Sequence, residues 1–161
     1  CIGAGMGDGG KGAVVAAVIL SVVLMTIGYR SADATLWWAA TPMLKGINNL
    51  LVLVAFYLFA ASGAKSRLGV QMRHPQLTGF SLWAGAHLLT NGDLPSFVLF
   101  GGLLLWALVE MAVINRAQPN WTAPAHPIPL RKEWTTALAA LAVYVVVGLI
   151  HGWIGPSPFG A

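Results

Sequence analysis

Long apolar runs separated by short polar breaks dominate the chain. Five stand out, at about 13–29, 43–62, 75–90, 94–114 and 135–154. Crossing the hydrocarbon core of a bilayer takes about 20 residues of α-helix, within a range of about 17–25. Four runs meet that length, the first at the short end. The third is the shortest and most polar, with Thr78, Ser81 and His87 inside it. Such a helix crosses only where neighbours shield its polar groups, which puts it at the centre of a bundle. The pattern predicts an all-α fold, a polytopic transmembrane bundle of five spans forming one integral-membrane domain over 1–161.

The breaks carry helix punctuation. Pro42 precedes the second run, and Pro75 and Pro95 stand where the third and fourth helices should begin. Asn91-Gly92-Asp93 reads as a tight turn that joins the third and fourth helices into an antiparallel hairpin. The longest connector, 115–134, holds Pro119, Pro124, Pro127 and Pro129 and reads as a surface loop on the cytoplasmic side. Gly148 with Gly152, and Ala137 with Ala140, have the spacing of helix–helix contacts.

Composition agrees. Of 161 residues, 57% are hydrophobic and 9% charged, and the mean hydropathy is +0.74. A soluble domain is about one quarter charged, so this chain cannot coat a water-exposed surface and its partner is the lipid bilayer. The single cysteine, Cys1, excludes an internal disulfide framework and a Cys-based zinc site. A chain starting on Cys is processed or trimmed; Cys1 reads as a segment boundary, lipidation being the alternative. The net charge of +4 comes from scattered Lys and Arg rather than one basic face, which argues against nucleic acid. With five spans, one side collects Lys11, Lys65, Arg67, Arg73, Arg116, Arg131 and Lys132, and the other Arg30 and Lys45. By the positive-inside rule the chain start and the 63–74 and 115–134 loops face the cytoplasm, and the C-terminal tail faces the periplasm. Trp37, Trp38 and Trp153 then mark one interface, and Trp121 and Trp134 the other.

Polar residues at membrane depth are costly and so informative. Near the outer end lie Lys45, Asn48 and Asn49 of the second helix, His87 and Thr90 of the third, Asn91 and Asp93 of the turn, and His151 of the fifth. His74, Arg73 and Glu110 lie near the other end. His74 and His87 are separated by 13 residues, roughly 20 Å along a helix and about 140° around it, so they cannot hold one iron together. His87 and His151 sit on separate helices at similar depth. Two imidazoles facing across a bundle core are a haem-binding arrangement. A lone membrane histidine also serves as a hydrogen-bond contact between helices, and both readings stand here. His74 reads as a helix-start or headgroup residue and His126 as solvent-exposed. Glu110 reads as the partner of Arg116 or Arg73, and Asp93 as a turn or cap residue. The glycine run before Lys11 imitates a phosphate loop, but Gly12 stands where Ser or Thr is needed and no strand precedes it.

The stretch Arg73-His74-Pro75-Gln76-Leu77-Thr78-Gly79, followed by Leu82-Trp83-Ala84-Gly85-Ala86-His87-Leu88-Leu89-Thr90-Asn91-Gly92-Asp93, resembles the NnrU family. The late His151-Gly152-Trp153-Ile154-Gly155-Pro156-Ser157-Pro158 resembles that family's ending, and the likeness runs from about Met6 onward. The resemblance implies a bacterial inner-membrane protein tied to denitrification and nitric oxide metabolism. It also implies kinship with the plant 15-cis-zeta-carotene isomerase, a membrane enzyme that uses haem b. In that relative the histidine matching His87 is a proposed haem ligand, and the one matching His74 belongs to the shared motif. Family members usually carry a further span with a histidine upstream of the segment matching Gly7–Ala13. Its absence here leaves three readings: a truncated chain, a different haem site, or none. His151 is the substitute ligand the residues themselves suggest.

The leading expectation is a haem b protein, with His87 on the iron and His151 or an upstream histidine opposite. His74 belongs to the same candidate set, and Lys45, Asn48, Asn49, Asn91 and Asp93 form the polar pocket, Lys45 or Arg30 pairing with haem propionates. Such a protein would bind nitric oxide or isomerise a lipid-like, carotenoid-type substrate. The alternative is a non-catalytic accessory or assembly subunit of a larger membrane complex. A solute transporter fits less well, for want of paired intramembrane acids.

Overall fold

All five apolar runs are helical in the computed structural model, which describes residues 7–125 and 127–160. The readings of Cys1 and His126 lie outside the described residues. The chain divides into two compact units, one reaching to Thr35 and one starting at Leu36.

The first unit is built on one helix, α1 (Gly7–Ser31), apolar all around its axis. Its hydroxyls are satisfied within the helix: Ser21 donates to the Ala17 carbonyl and Thr26 to that of Val22, both at 2.8 Å. Residues 7–12 are part of this helix, so the glycines before Lys11 form no phosphate loop.

The second unit holds α2 (Pro42–Ala64), α3 (Arg67–Gln71), α4 (Pro75–Thr90), α5 (Leu94–Ala117) and α6 (Leu130–Ile154). Thr41 caps α2 by accepting from the Leu44 N–H at 3.2 Å, with Pro42 in the first turn, where its missing N–H costs nothing. α2 ends at Lys65, whose φ of 51° and ψ of 50° are left-handed, and the chain turns at once into α3. That corner is tight: a Cβ on Gly69 would stand 1.9 Å from the Ala61 carbonyl oxygen. Asp93 caps α5 through the Ser96 N–H at 2.8 Å, as expected for a cap residue. α5 carries a π turn at Phe97–Gly101.

Four helices are long and apolar enough to cross a membrane: Gly9–Ser31, Pro42–Ala64, Leu94–Ala117 and Leu130–Ile154. The expected count of five spans is corrected here. α4 has 16 residues, about 24 Å at 1.5 Å each, against a hydrocarbon core of about 30 Å. Pro75 and the Asn91 cap fix its ends. It lies between α2 and α5, and α2 packs in turn on α6, so the order across the unit is α6, α2, α4, α5. α4 is thus the shielded central helix its polarity called for. The 115–134 loop is also shorter than expected, since α6 starts at Leu130 and takes up Arg131, Lys132, Glu133 and Trp134.

Small residues let the helices approach. Val52, Ala55, Leu58 and Ala61 make the buried stripe of α2, and Gly79, Ala84 and Ala86 are buried on α4. A Cβ on Gly79 would lie 2.9 Å from the Ala55 carbonyl oxygen and 3.2 Å from the Leu58 Cβ, so only glycine permits this α2–α4 distance. The Asn91–Asp93 turn joins α4 to α5 as foreseen, with one addition. β1 (Leu36–Trp38) pairs antiparallel with β2 (Gly92–Asp93). Gly92 is obligatory there, since its Cβ would fall 2.4 Å from the Trp38 ring. Trp38 donates its indole N–H to the Leu89 carbonyl at 3.1 Å, and Trp37 and Trp38 both meet the Phe97 ring edge to face.

Candidate functional site at the His87 end

Depth along the bundle can be counted from two contacts. Gly79 of α4 abuts Ala55 and Leu58 of α2, and the Tyr144 ring of α6 meets the Phe56 ring of α2 at 6.0 Å. Seven or eight residues further along each helix, about 11–12 Å, the antiparallel register brings Asn48, Asn49, His87 and His151 to one level. Helix register therefore puts the two histidines at similar depth.

His87 sits in an aromatic niche. Its ring stacks on Phe100 at 4.7 Å and 30°, and the Trp83 ring lies 4.9 Å away. Phe100 belongs to the π turn of α5, and such one-turn irregularities re-aim side chains. The Nδ1 of His87 donates to the Trp83 carbonyl at 2.8 Å, and the Nδ1 of His151 donates to the Pro156 carbonyl at 2.8 Å. With each Nδ1 donating to a carbonyl, Nε2 is the ring nitrogen left for a metal. This is the state a metal-bound imidazole requires, held by the kind of backbone contact that fixes ring orientation. Among the described residues no three His, Cys, Asp or Glu side chains cluster, so two imidazoles are the donor set this end provides. Imidazole is a donor that haem iron takes.

The remaining pocket candidates have assigned tasks. Asn49 donates to the Pro158 carbonyl at 2.9 Å. Asn48 donates to Asn49 Oδ1 at 3.4 Å, while its own Oδ1 is buried without a partner. Lys45 is half-buried in the first turn of α2, bonded through its N–H to the Thr41 carbonyl. Asn91 closes α4 by donating to the His87 carbonyl at 2.7 Å, and Asp93 opens α5. Both serve helix ends rather than an open pocket.

A family model described as NnrU protein matches residues 2–158. The chain belongs to the NnrU family. No curated protein and no solved structure matches it.

The other histidine of the NnrU family likeness, His74, lies at the far end of α4. Its Nε2 is 2.8 Å from Asn115 Oδ1 of α5, so the structure does not bring it to His87 and His151. Beside it Arg73 donates to the carbonyls of Ile114 and Gln118 and lies 5.9 Å from the Trp121 ring centre. These contacts close the C-terminus of α5. The expected pairing of Glu110 with Arg73 or Arg116 is not made among the described residues.

Sequence reasoning missed two features. Glu133, in the first turn of α6, accepts from the Tyr57 hydroxyl, from Ser66 Oγ at 3.3 Å and from the Arg67 N–H at 2.8 Å, clamping α6 to the α2–α3 corner. The second is the tail after α6, which folds back on it. Phe159 packs on Tyr144 at 5.6 Å and fills the notch at Gly148, and Ser157 lies against Gly152. Gly148 and Gly152 therefore seat the chain's own tail, which corrects their reading as a helix-contact pair. The run Pro156-Ser157-Pro158-Phe159 after the glycines was the available signal.

Proposed function

We propose that this NnrU-family membrane protein binds haem b at the His87 end, where His87 and His151 would hold it. Its substrate would be apolar and reach the site from the bilayer: nitric oxide in denitrification, or a carotenoid-like polyene undergoing cis–trans isomerisation. The bacterial inner membrane is the compartment this reading implies. The observation that carries it is the matched setting of the two rings: each Nδ1 is bonded to a main-chain carbonyl, which leaves Nε2 as the nitrogen for a metal, and helix register puts both at similar depth.

Bound haem would supply a reducible iron, open to a diatomic gas or a conjugated double bond only where one of the two imidazoles is released from it. The chain's own residues do the rest. Phe100 and Trp83 hold the His87 ring. The Pro156 carbonyl fixes His151. Lys45, on the same end of α2, offers a cation to the propionates.

The test is an absorption spectrum of the intact protein in detergent, oxidised and reduced. A haem band that survives His74→Ala and is lost in His87→Ala supports the reading. Full-length protein without haem removes it. Recovery of that protein in fixed stoichiometry with a larger membrane complex would then favour an accessory subunit.

A further inference from the structure

A cleft of about 480 Å³ opens between α2, α4 and α6 at mid-depth. Phe59 and Ala60 of α2, Phe80 and Trp83 of α4, and Ala139 and Ala140 of α6 line it, and every lining residue is apolar. The lining extends over residues 55–60 of α2 and 139–143 of α6, a short open groove that a single hydrocarbon chain can enter.

Charge fixes the headgroup. Lys132 lies seven residues before Ala139, two turns down the same stripe of α6. Gln76 lies four residues before Phe80 and seven before Trp83, on the matching stripe of α4. Both are exposed at the same end of the bundle, as are Lys65, Arg67 and Arg131. Glu133, the acid among them, has its carboxylate engaged by Tyr57, Ser66 and the Arg67 N–H. Basic groups next to an apolar cleft attract an anionic lipid.

We propose that the cleft is a binding site for one acyl chain of an anionic phospholipid, whose phosphate rests on Lys132 and Gln76. The cleft adjoins the His87 niche through Trp83, whose ring is shared by both, but a lipid there follows from the apolar lining and the basic end and needs no haem.

Trp83 provides the probe. The protein is placed in phosphatidylcholine nanodiscs doped with either phosphatidylglycerol or phosphatidylcholine brominated at mid-chain, and quenching of tryptophan emission is followed. A Trp83→Phe variant defines the share due to Trp83. That share should be quenched saturably at low mole fraction of brominated phosphatidylglycerol, and brominated phosphatidylcholine should need about fivefold more. Lys132→Gln should bring the two lipids together. Ala139→Phe and, as a second filling variant, Val143→Phe should abolish the saturable part while helical content is kept. Three results would overturn the proposal: quenching that rises linearly with mole fraction, equal saturation by both lipids in the parent protein, or saturation that persists in both filling variants.

Discussion

The side-chain amide of Asn49 donates to the main-chain oxygen of Pro158 at 2.9 Å, joining residues 109 positions apart in sequence. Two neighbours reinforce it: His151 Nδ1 holds the Pro156 carbonyl and Phe159 fills the notch at Gly148. The tail therefore bridges α6 to α2, and one of its carbonyls orients a candidate ligand. A residue on α2 with no contact to the His151 ring thus acts on that ring through the tail.

Asn49→Ala should loosen the tail and leave the helices intact. A net hydrogen bond contributes about 0.5–1.5 kcal/mol, which corresponds to roughly a two- to tenfold rise in tail opening. Hydrogen–deuterium exchange of peptides covering 155–160 is the measurement. Unchanged exchange there would show that Asn49 does not hold the tail.

Gly148→Ala should release the tail by a different route. The added Cβ would lie 2.3 Å from Phe159 Cε2, the far end of a side chain that can move, so the ring is expelled rather than the helix broken. Phe159→Ala in that background should add little further exchange, because neighbours sharing one contact are not additive. Additive effects of the two substitutions would break this link.

The helices were readable because each apolar run is long and its ends carry Pro, Thr and Asn–Gly–Asp signals. The β1–β2 pair was not, because Leu36, Trp37 and Trp38 look like an interfacial belt until Gly92 lets the backbones meet. Nor was the niche around His87. Phe100 reaches the ring from a π turn, and no 3.6-residue periodicity places it there. The fold-back of Phe159 onto Gly148 shares its glycine spacing with ordinary helix packing, and only the Pro156-Ser157-Pro158-Phe159 run that follows distinguishes the two.

Gly79→Ala should weaken the bundle. Its Cβ would meet a backbone carbonyl at 2.9 Å, which cannot swing aside, so α2 and α4 must part. Overpacking of this kind costs about 1–3 kcal/mol. Gly85→Ala on the same helix is the control: nothing lies within 4 Å of its added Cβ, and the change should be neutral or stabilising by about 0.5–1 kcal/mol. Thermal unfolding in detergent should rank the two variants in that order. An unfolding midpoint for Gly79→Ala at or above that of Gly85→Ala would contradict the close approach.

Glu133 should prove the main polar tie at the end remote from His87. Three donors converge on its carboxylate, and Ser66 beside it is fully buried. Glu133→Ala strands those donors, at about 1–3 kcal/mol for a buried unsatisfied group. Tyr57→Phe removes one donor together with its need for a partner and should cost less. In a double-mutant cycle the Tyr57→Phe penalty should largely vanish once Glu133 is alanine. The same variants should leave hydrogen–deuterium exchange of 155–160 unchanged, since the tail is anchored at the opposite end of α6. A Glu133→Ala protein that exchanges its tail as fast as Asn49→Ala would show that the two ends of the bundle are not separate structural units.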